Sequence, residues 1–166
     1  MIFGAISVET PKYTLLTKKE YEIRQYHPRV VITTPMTETS SAFGQLAGFI
    51  FGKQQQGPAK PIAMTAPVIT DEKTMSFFLP SEYDSIEKVP EPKGPIQIHK
   101  KEEETIATIS YSWSGYAQFD EKAAELKQYL DRDGIKYDPT SVSLYQYNPP
   151  WTAPFLRLNE IGIKLL

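Results

Sequence analysis

From Glu20 to Thr34, Tyr21 and Ile23, then Val30, Val31 and Ile32, set β-branched and aromatic side chains among polar neighbours. Such residues fit a pleated, half-buried surface, so the segment predicts a strand, and the His27-Pro28 break inside it implies an edge position or a bulge. Ser40-Ser41 then offers an N-cap, followed by Ala42, Phe43, Leu46, Phe49 and Ile50 at helical spacing and by Gly52 as a stop. That pattern predicts a helix from about Ser41 to Phe51. Pro61 to Thr70 and Thr74 to Leu79, joined by the polar turn Asp71-Glu72-Lys73, read as a hairpin. Ser81 to Pro95 is rich in proline and charge and reads as a connection without regular structure.

The order then recurs. Ile96–Lys100 and Thr105–Trp113 carry strand patterning, and His99 to Glu104 between them looks like a solvated hairpin turn. A second helix is expected from about Ala117 to Asp133, with Ala123, Leu126 and Leu130 on one face and Gly134 beyond its end. Ser141–Tyr147 and Phe155–Leu165 offer two more strands around Asn148-Pro149-Pro150. The pattern predicts one α+β domain over residues 1–166, built from pseudo-repeats at roughly 18–80 and 96–166 linked by 81–95. Each half alone leaves a sheet face bare, so the duplicated β-α-β-β units should join into one twisted antiparallel sheet with both helices packed on it. The space between helix and curved sheet is then the natural pocket.

Composition narrows the chemistry. The 166 residues contain no cysteine, which removes disulfides, thiolate metal sites and a cysteine nucleophile and fits a reducing, cytoplasmic setting. A formal net charge of -2 with no basic stripe argues against nucleic acid as a partner. The N-terminal Met1-Ile-Phe-Gly-Ala-Ile has no basic leader, and its apolar run falls far short of the roughly 20 residues of a membrane span. No nucleophile elbow, phosphate loop or zinc signature is present, and Glu121 and Glu125, with Lys122 and Lys127 nearby, read as a solvated helix face. A binding role without catalysis is expected.

Three motifs sharpen that expectation: Tyr21-Glu22-Ile23-Arg24-Gln25-Tyr26, Ile62-Ala63-Met64-Thr65-Ala66-Pro67-Val68, and Tyr147-Asn148-Pro149-Pro150 with Arg157-Leu158-Asn159-Glu160 downstream. In order and spacing the chain resembles the SOUL haem-binding family over most of its length. The resemblance implies a barrel-like twisted sheet with two flanking helices, shared with bacterial effector-binding domains of the gyrase-inhibitor type. It also implies binding of haem or another porphyrin, with haem not required for folding. In members for which an axial histidine has been proposed, it directly follows the arginine of the first motif; here that position is Gln25, and His27 stands two residues later.

Haem needs an apolar slot, cations for its propionates and, optionally, an axial ligand on iron. Phe43, Leu46, Phe49 and Ile50 could form the slot, Lys53 or Arg24 could pair with a propionate, and His27 or Met64 could approach the iron, His27 being the candidate metal ligand. Each has a plainer reading. The helix residues suit ordinary core packing, Met64 suits a gap-filling role, His27 suits a surface turn, and Arg24 with Glu22 or Arg157 with Glu160 suits an ion pair pinning strands. Pro149-Pro150-Trp151 reads as a rigid loop, with a cis or trans bond, whose aromatic lines a pocket mouth or closes the core. The first functional expectation is a reversible tetrapyrrole carrier or buffer. Alternatives are an effector-binding domain for another apolar ligand, a protein-interaction module without haem, and, more weakly supported, a hydrolase on the same scaffold.

Overall fold

The computed structural model describes residues 2–3, 6–149 and 151–166, with side chains from Val8 onward apart from Ser40. In chain order the elements are β1 (Ile2–Phe3), β2 (Ile6–Ser7), β3 (Tyr13–Lys18), β4 (Glu22–Tyr26), β5 (Arg29–Pro35), α1 (Thr39–Ile50), β6 (Val68–Thr70), β7 (Thr74–Phe78), β8 (Gln97–Lys101), β9 (Glu104–Tyr111), α2 (Phe119–Arg132), β10 (Ser143–Gln146) and β11 (Asn159–Lys164). β1 and β2 pair with each other, and the other nine form one antiparallel sheet in the order β3-β4-β9-β11-β10-β6-β7-β5-β8. The sheet curls into a half-barrel, as the duplicated α+β pattern predicts.

The His27-Pro28 break explains how the halves are joined. β4 and β5 do not pair with each other; β4 pairs with β9 and β5 with β8. The register nevertheless runs through the break unchanged, because Tyr26 faces Glu104 and Arg29 faces Lys101, so equal numbers of residues are skipped on the two sides. One bent two-stranded ribbon therefore serves both ends of the sheet, and each half completes the edge of the other. Arg29 to Glu104 at 2.6 Å and Gln25 to Glu103 at 2.8 Å tie its corner. The expected hairpin at His99–Glu104 is accordingly absent, since β8 and β9 lead to opposite ends of the sheet.

Other boundaries shift for local reasons. α1 starts at Thr39 with Glu38 as its N-cap, which leaves Ser41 inside the first turn; Gly52, at φ 92°, ends it as the sequence suggests. The expected strand Pro61–Thr70 shrinks to Val68–Thr70, because prolines at 61 and 67 cannot donate to a ladder. Phe155 and Leu156 fall in a short 3-10 turn, Pro154–Leu156, and the last strand begins at Asn159. A second such turn, Ile86–Lys88, lies in the connection expected to lack regular structure. The Asp71 turn forms as predicted, its Oδ1 accepting from the Lys73 and Thr74 amides.

Both helices cover the same sheet face. Ala42, Leu46, Phe49 and Ile50 of α1 pack on Val30, Ile32, Met75 and Phe77 of β5 and β7. Ala123, Leu126 and Leu130 of α2 pack on Ile23, Ala107, Ile109, Ile161 and Ile163. Register places the two clusters on one side, since Leu144 is opposite Thr70 and Gln146 is opposite Val68 across the central pair β10-β6. No helix among the described residues is long and apolar enough to cross a membrane.

Candidate functional site

Because α1 sits over β5 and β7 and α2 over β9 and β11, the central strands β6 and β10 are left between them. A cleft of about 1150 Å³ opens there, slightly above the size usual for small-molecule sites. Thr39, Phe43, Ala47 and Phe51 form one wall, a stripe at four-residue spacing along α1 beside the stripe that packs on the sheet. Ala63 to Ala66 and Val68, from the second motif, form the floor with Met75. Ser114–Tyr116, ahead of α2, Asn148, Pro149, Trp151 and Arg157, from the loop between β10 and β11, and Asn159 at the start of β11 close the far side.

Each wall is fixed by hydrogen bonds, some local in sequence and some long-range. Buried Gln55 bonds the Phe49 and Lys60 carbonyls and accepts from the Lys60 amide, so the chain leaving α1 folds back under it. The Ala66 amide then reaches the Glu9 carbonyl, and the Ala66-Pro67 bond is cis. Opposite, the Tyr111 hydroxyl donates to the Gly115 carbonyl at 2.7 Å and Asn159 Nδ2 to the Trp113 carbonyl at 3.0 Å. A Cβ at Gly115 would stand 3.1 Å from Asn159 Oδ1, so glycine lets this loop lie close on the sheet. Burial pushes the Tyr111 phenol up to about 12, keeping it a donor. The β10–β11 loop is tied by the Leu158 amide to Asn148 Oδ1 and by Arg157 Nε to the Thr152 carbonyl.

The residues singled out from sequence are distributed over three places. Phe43 and Met64 line the cleft, and the Phe43 ring stands edge-on to Phe77 at 5.5 Å. Leu46, Phe49 and Ile50 lie beneath, fully buried between α1 and the sheet. Lys53 is exposed past the end of α1 and is not part of the walls. His27 is exposed near the ribbon corner, with Nε2 3.2 Å from Thr14 Oγ1, and borders a separate depression of about 200 Å³ with Glu9, Lys12 and Arg29. Trp151 lines the cleft mouth; Pro150 of the same motif lies outside the described residues.

Arg24 is on the sheet face away from the helices. Its two terminal nitrogens grip Glu160 at 2.8 and 2.6 Å, while Nε reaches Glu22 at 2.9 Å and Nη1 the Tyr26 hydroxyl at 2.9 Å. Glu160 also accepts from Tyr147 at 2.7 Å and from Ser110 at 3.2 Å. Burial works against the Arg24 charge, but the Glu160 hydrogen bonds and charge outweigh it and hold the guanidinium above its usual pKa. Burial, reinforced by the Glu160 charge, raises Tyr147 well above the usual phenol value. The first and third sequence motifs thus meet in one saturated buried ion pair. Arg157 joins the cleft, without an Arg157–Glu160 pair among the ion pairs seen.

Sequence reasoning passed over Ala47, Phe51, Tyr116, Gln146 and Asn159 as cleft residues. Only the α1 stripe had a local signal, the apolar arc of that helix being wider than one packed face requires.

A model of the family described as SOUL heme-binding protein matches residues 8–164. The chain belongs to that family. The match spans every wall of the cleft and all three motifs, so SOUL membership and the cleft concern the same part of the chain. No curated protein matches the sequence significantly. Among solved structures, the fold is similar to the EcmrR C-terminal domain, with TM-score 0.60, 12% identity, and 93% of this chain and 98% of that one covered. It is also similar to an uncharacterized conserved protein from Listeria innocua, with TM-score 0.58, 10% identity and 88% and 92% covered. A hydrolase from Listeria innocua has TM-score 0.55, 11% identity and 91% and 94% covered. At such identities the likeness shows the fold alone.

Proposed function

We propose that this SOUL-family chain binds a tetrapyrrole reversibly in the cleft between α1 and the β10–β11 loop, as a carrier or buffer that does no chemistry on it. The observation that carries this reading is the size and apolar character of that cleft at the seam of the two halves. Its walls suit the group: Phe43, Phe51 and Met64 offer flat or adaptable apolar surface, and Arg157 offers a cation for a propionate. The chain's histidines are His27 and His99, and neither lines the cleft, so the macrocycle would be held by its faces and propionates rather than by a histidine–iron bond.

Titration of the purified protein with haemin, followed at the Soret band, and in parallel with metal-free protoporphyrin, tests this. Both should bind saturably, with Phe43→Asp weakening both and His27→Ala changing neither. Failure of both porphyrins to saturate would remove the tetrapyrrole reading and leave another flat apolar ligand for the same cleft. Loss of haemin binding in His27→Ala would move the site to the ribbon corner.

A further inference from the structure

We infer that the cleft mouth docks on the surface of a lipid bilayer carrying anionic headgroups. Of the twelve large hydrophobic residues exposed among the described residues, seven gather on the segments that build the cleft. Trp113, Phe155 and Leu156 do not contribute to the walls, so a ligand in the cleft would leave them uncovered. Trp151, on the mouth itself, is 75% exposed. A gathering of exposed large hydrophobic side chains of this kind, rich in aromatics, marks a contact site.

The loops are built to hold these side chains outward. Trp113 has φ 72°, a left-handed conformation that a bulky side chain rarely takes, and its amide and carbonyl are held by the Pro154 carbonyl and Asn159 Nδ2. Phe155 and Leu156 project from the 3-10 turn beside it, with the Trp113 and Phe155 rings 6.4 Å apart.

Charge selects the occupant. Residues 39–70, 112–119 and 146–158 carry Lys53, Lys60 and Arg157 but none of the chain's 20 acidic residues. Glu38, Asp71 and Asp120 stand just outside these segments. An acidic chain has thus kept carboxylates off the segments that form its apolar mouth. Aromatic and aliphatic tips on segments that carry cations and no carboxylates match the headgroup boundary of an anionic bilayer, where tryptophan is favoured and a cation near the surface adds attraction. Docked this way, the mouth faces the acyl region.

The chain's two tryptophans are Trp113 and Trp151, so its intrinsic fluorescence reports directly on this surface. Ligand-free protein is mixed with empty vesicles of phosphatidylcholine alone or of phosphatidylcholine with phosphatidylglycerol. Co-sedimentation and a blue shift of emission are read, so the outcome is independent of porphyrin binding. Mixed vesicles should bind the protein and shift its emission, added salt should weaken binding, and Phe155→Ser/Leu156→Ser should reduce partitioning about tenfold or more. Lys53→Glu should weaken it as well. No binding to mixed vesicles, or equal partitioning by the double variant, would overturn the inference. So would lipid-free dimerisation that the double variant abolishes, which would assign the surface to a second copy of the chain.

Discussion

Substituting Glu160 with Gln removes the charge that faces Arg24 while keeping the shape of the side chain. Arg24 is only 5% exposed and donates two hydrogen bonds to this carboxylate, at 2.8 and 2.6 Å. Breaking a buried pair by deleting one partner costs about 3–5 kcal/mol, because the survivor is left charged and poorly solvated. Glu22, 2.7 Å from Nη2 and partly exposed, remains as a second counterion, which puts Glu160→Gln at about 3 kcal/mol. In a domain of this size that corresponds to a fall in Tm of roughly 6–12 °C. Urea unfolding followed by circular dichroism measures it, in a cycle with Arg24→Met. Arg24→Met should cost at least about 1.5 kcal/mol less when Glu160 is already Gln than in the parent chain. A loss under about 1 kcal/mol for Glu160→Gln, or additive single and double variants, would refute the assignment of this pair as the electrostatic centre of the sheet's second face.

Gly162→Ala should destabilise the fold by about 1–3 kcal/mol in the same assay, since the new Cβ would lie 2.7 Å from Cζ of the buried Tyr145 ring. Leu46→Ala should lose about 2–5 kcal/mol of stability, whereas Phe43→Ala, which gives up a partly exposed ring and its edge contact with Phe77, should lose about 1 kcal/mol and weaken porphyrin binding, separating the buried stripe of α1 from the stripe on the cleft. The Asp133 carboxyl is held well below the usual range by hydrogen bonds from Arg132 and from the Tyr21 hydroxyl. A depressed carboxylate contributes stability above its unfolded pKa and loses it as pH falls through the folded one. The stability gap between the parent and Asp133→Asn, measured by urea unfolding, should therefore be constant near neutral pH and shrink below about pH 4.

Much of the fold was legible because burial is one-sided. Ala123, Leu126 and Leu130 announce α2, and Val30 and Ile32 announce the strand under α1, since those faces must leave water. β3 left no comparable trace: Tyr13, Leu15 and Leu16 are exposed, and an edge strand with little burial has no period to detect. Residues 61–67 read as part of a strand, but the Ile62 and Ala66 amides bond to the end of α1 and to Glu9 instead of to a ladder. The cleft was legible in Phe43 and Met64, and in Trp151 as one of two readings of its loop, but illegible in Tyr116 and Arg157, which reach it from loops far away in the chain. Periodicity gives the apolar arc of α1 but not where the sheet beneath it ends. For that reason Leu46 and Phe43 looked alike in sequence and differ in place.

The bent ribbon bears on how the protein is made. A ribosome releases β4 and β5 roughly seventy residues before the strands that flank them in the finished sheet, β8 and β9. Until those emerge, the edge of β5 is open and the first half has no completed border, so native structure must wait for most of the chain to be synthesised. Pairing at such sequence separation is slow to nucleate and leaves hydrophobic edges open to other nascent chains meanwhile. The exchange that welds the halves into one body also makes them a single unit of biosynthesis, dependent in that interval on whatever shields an unfinished strand.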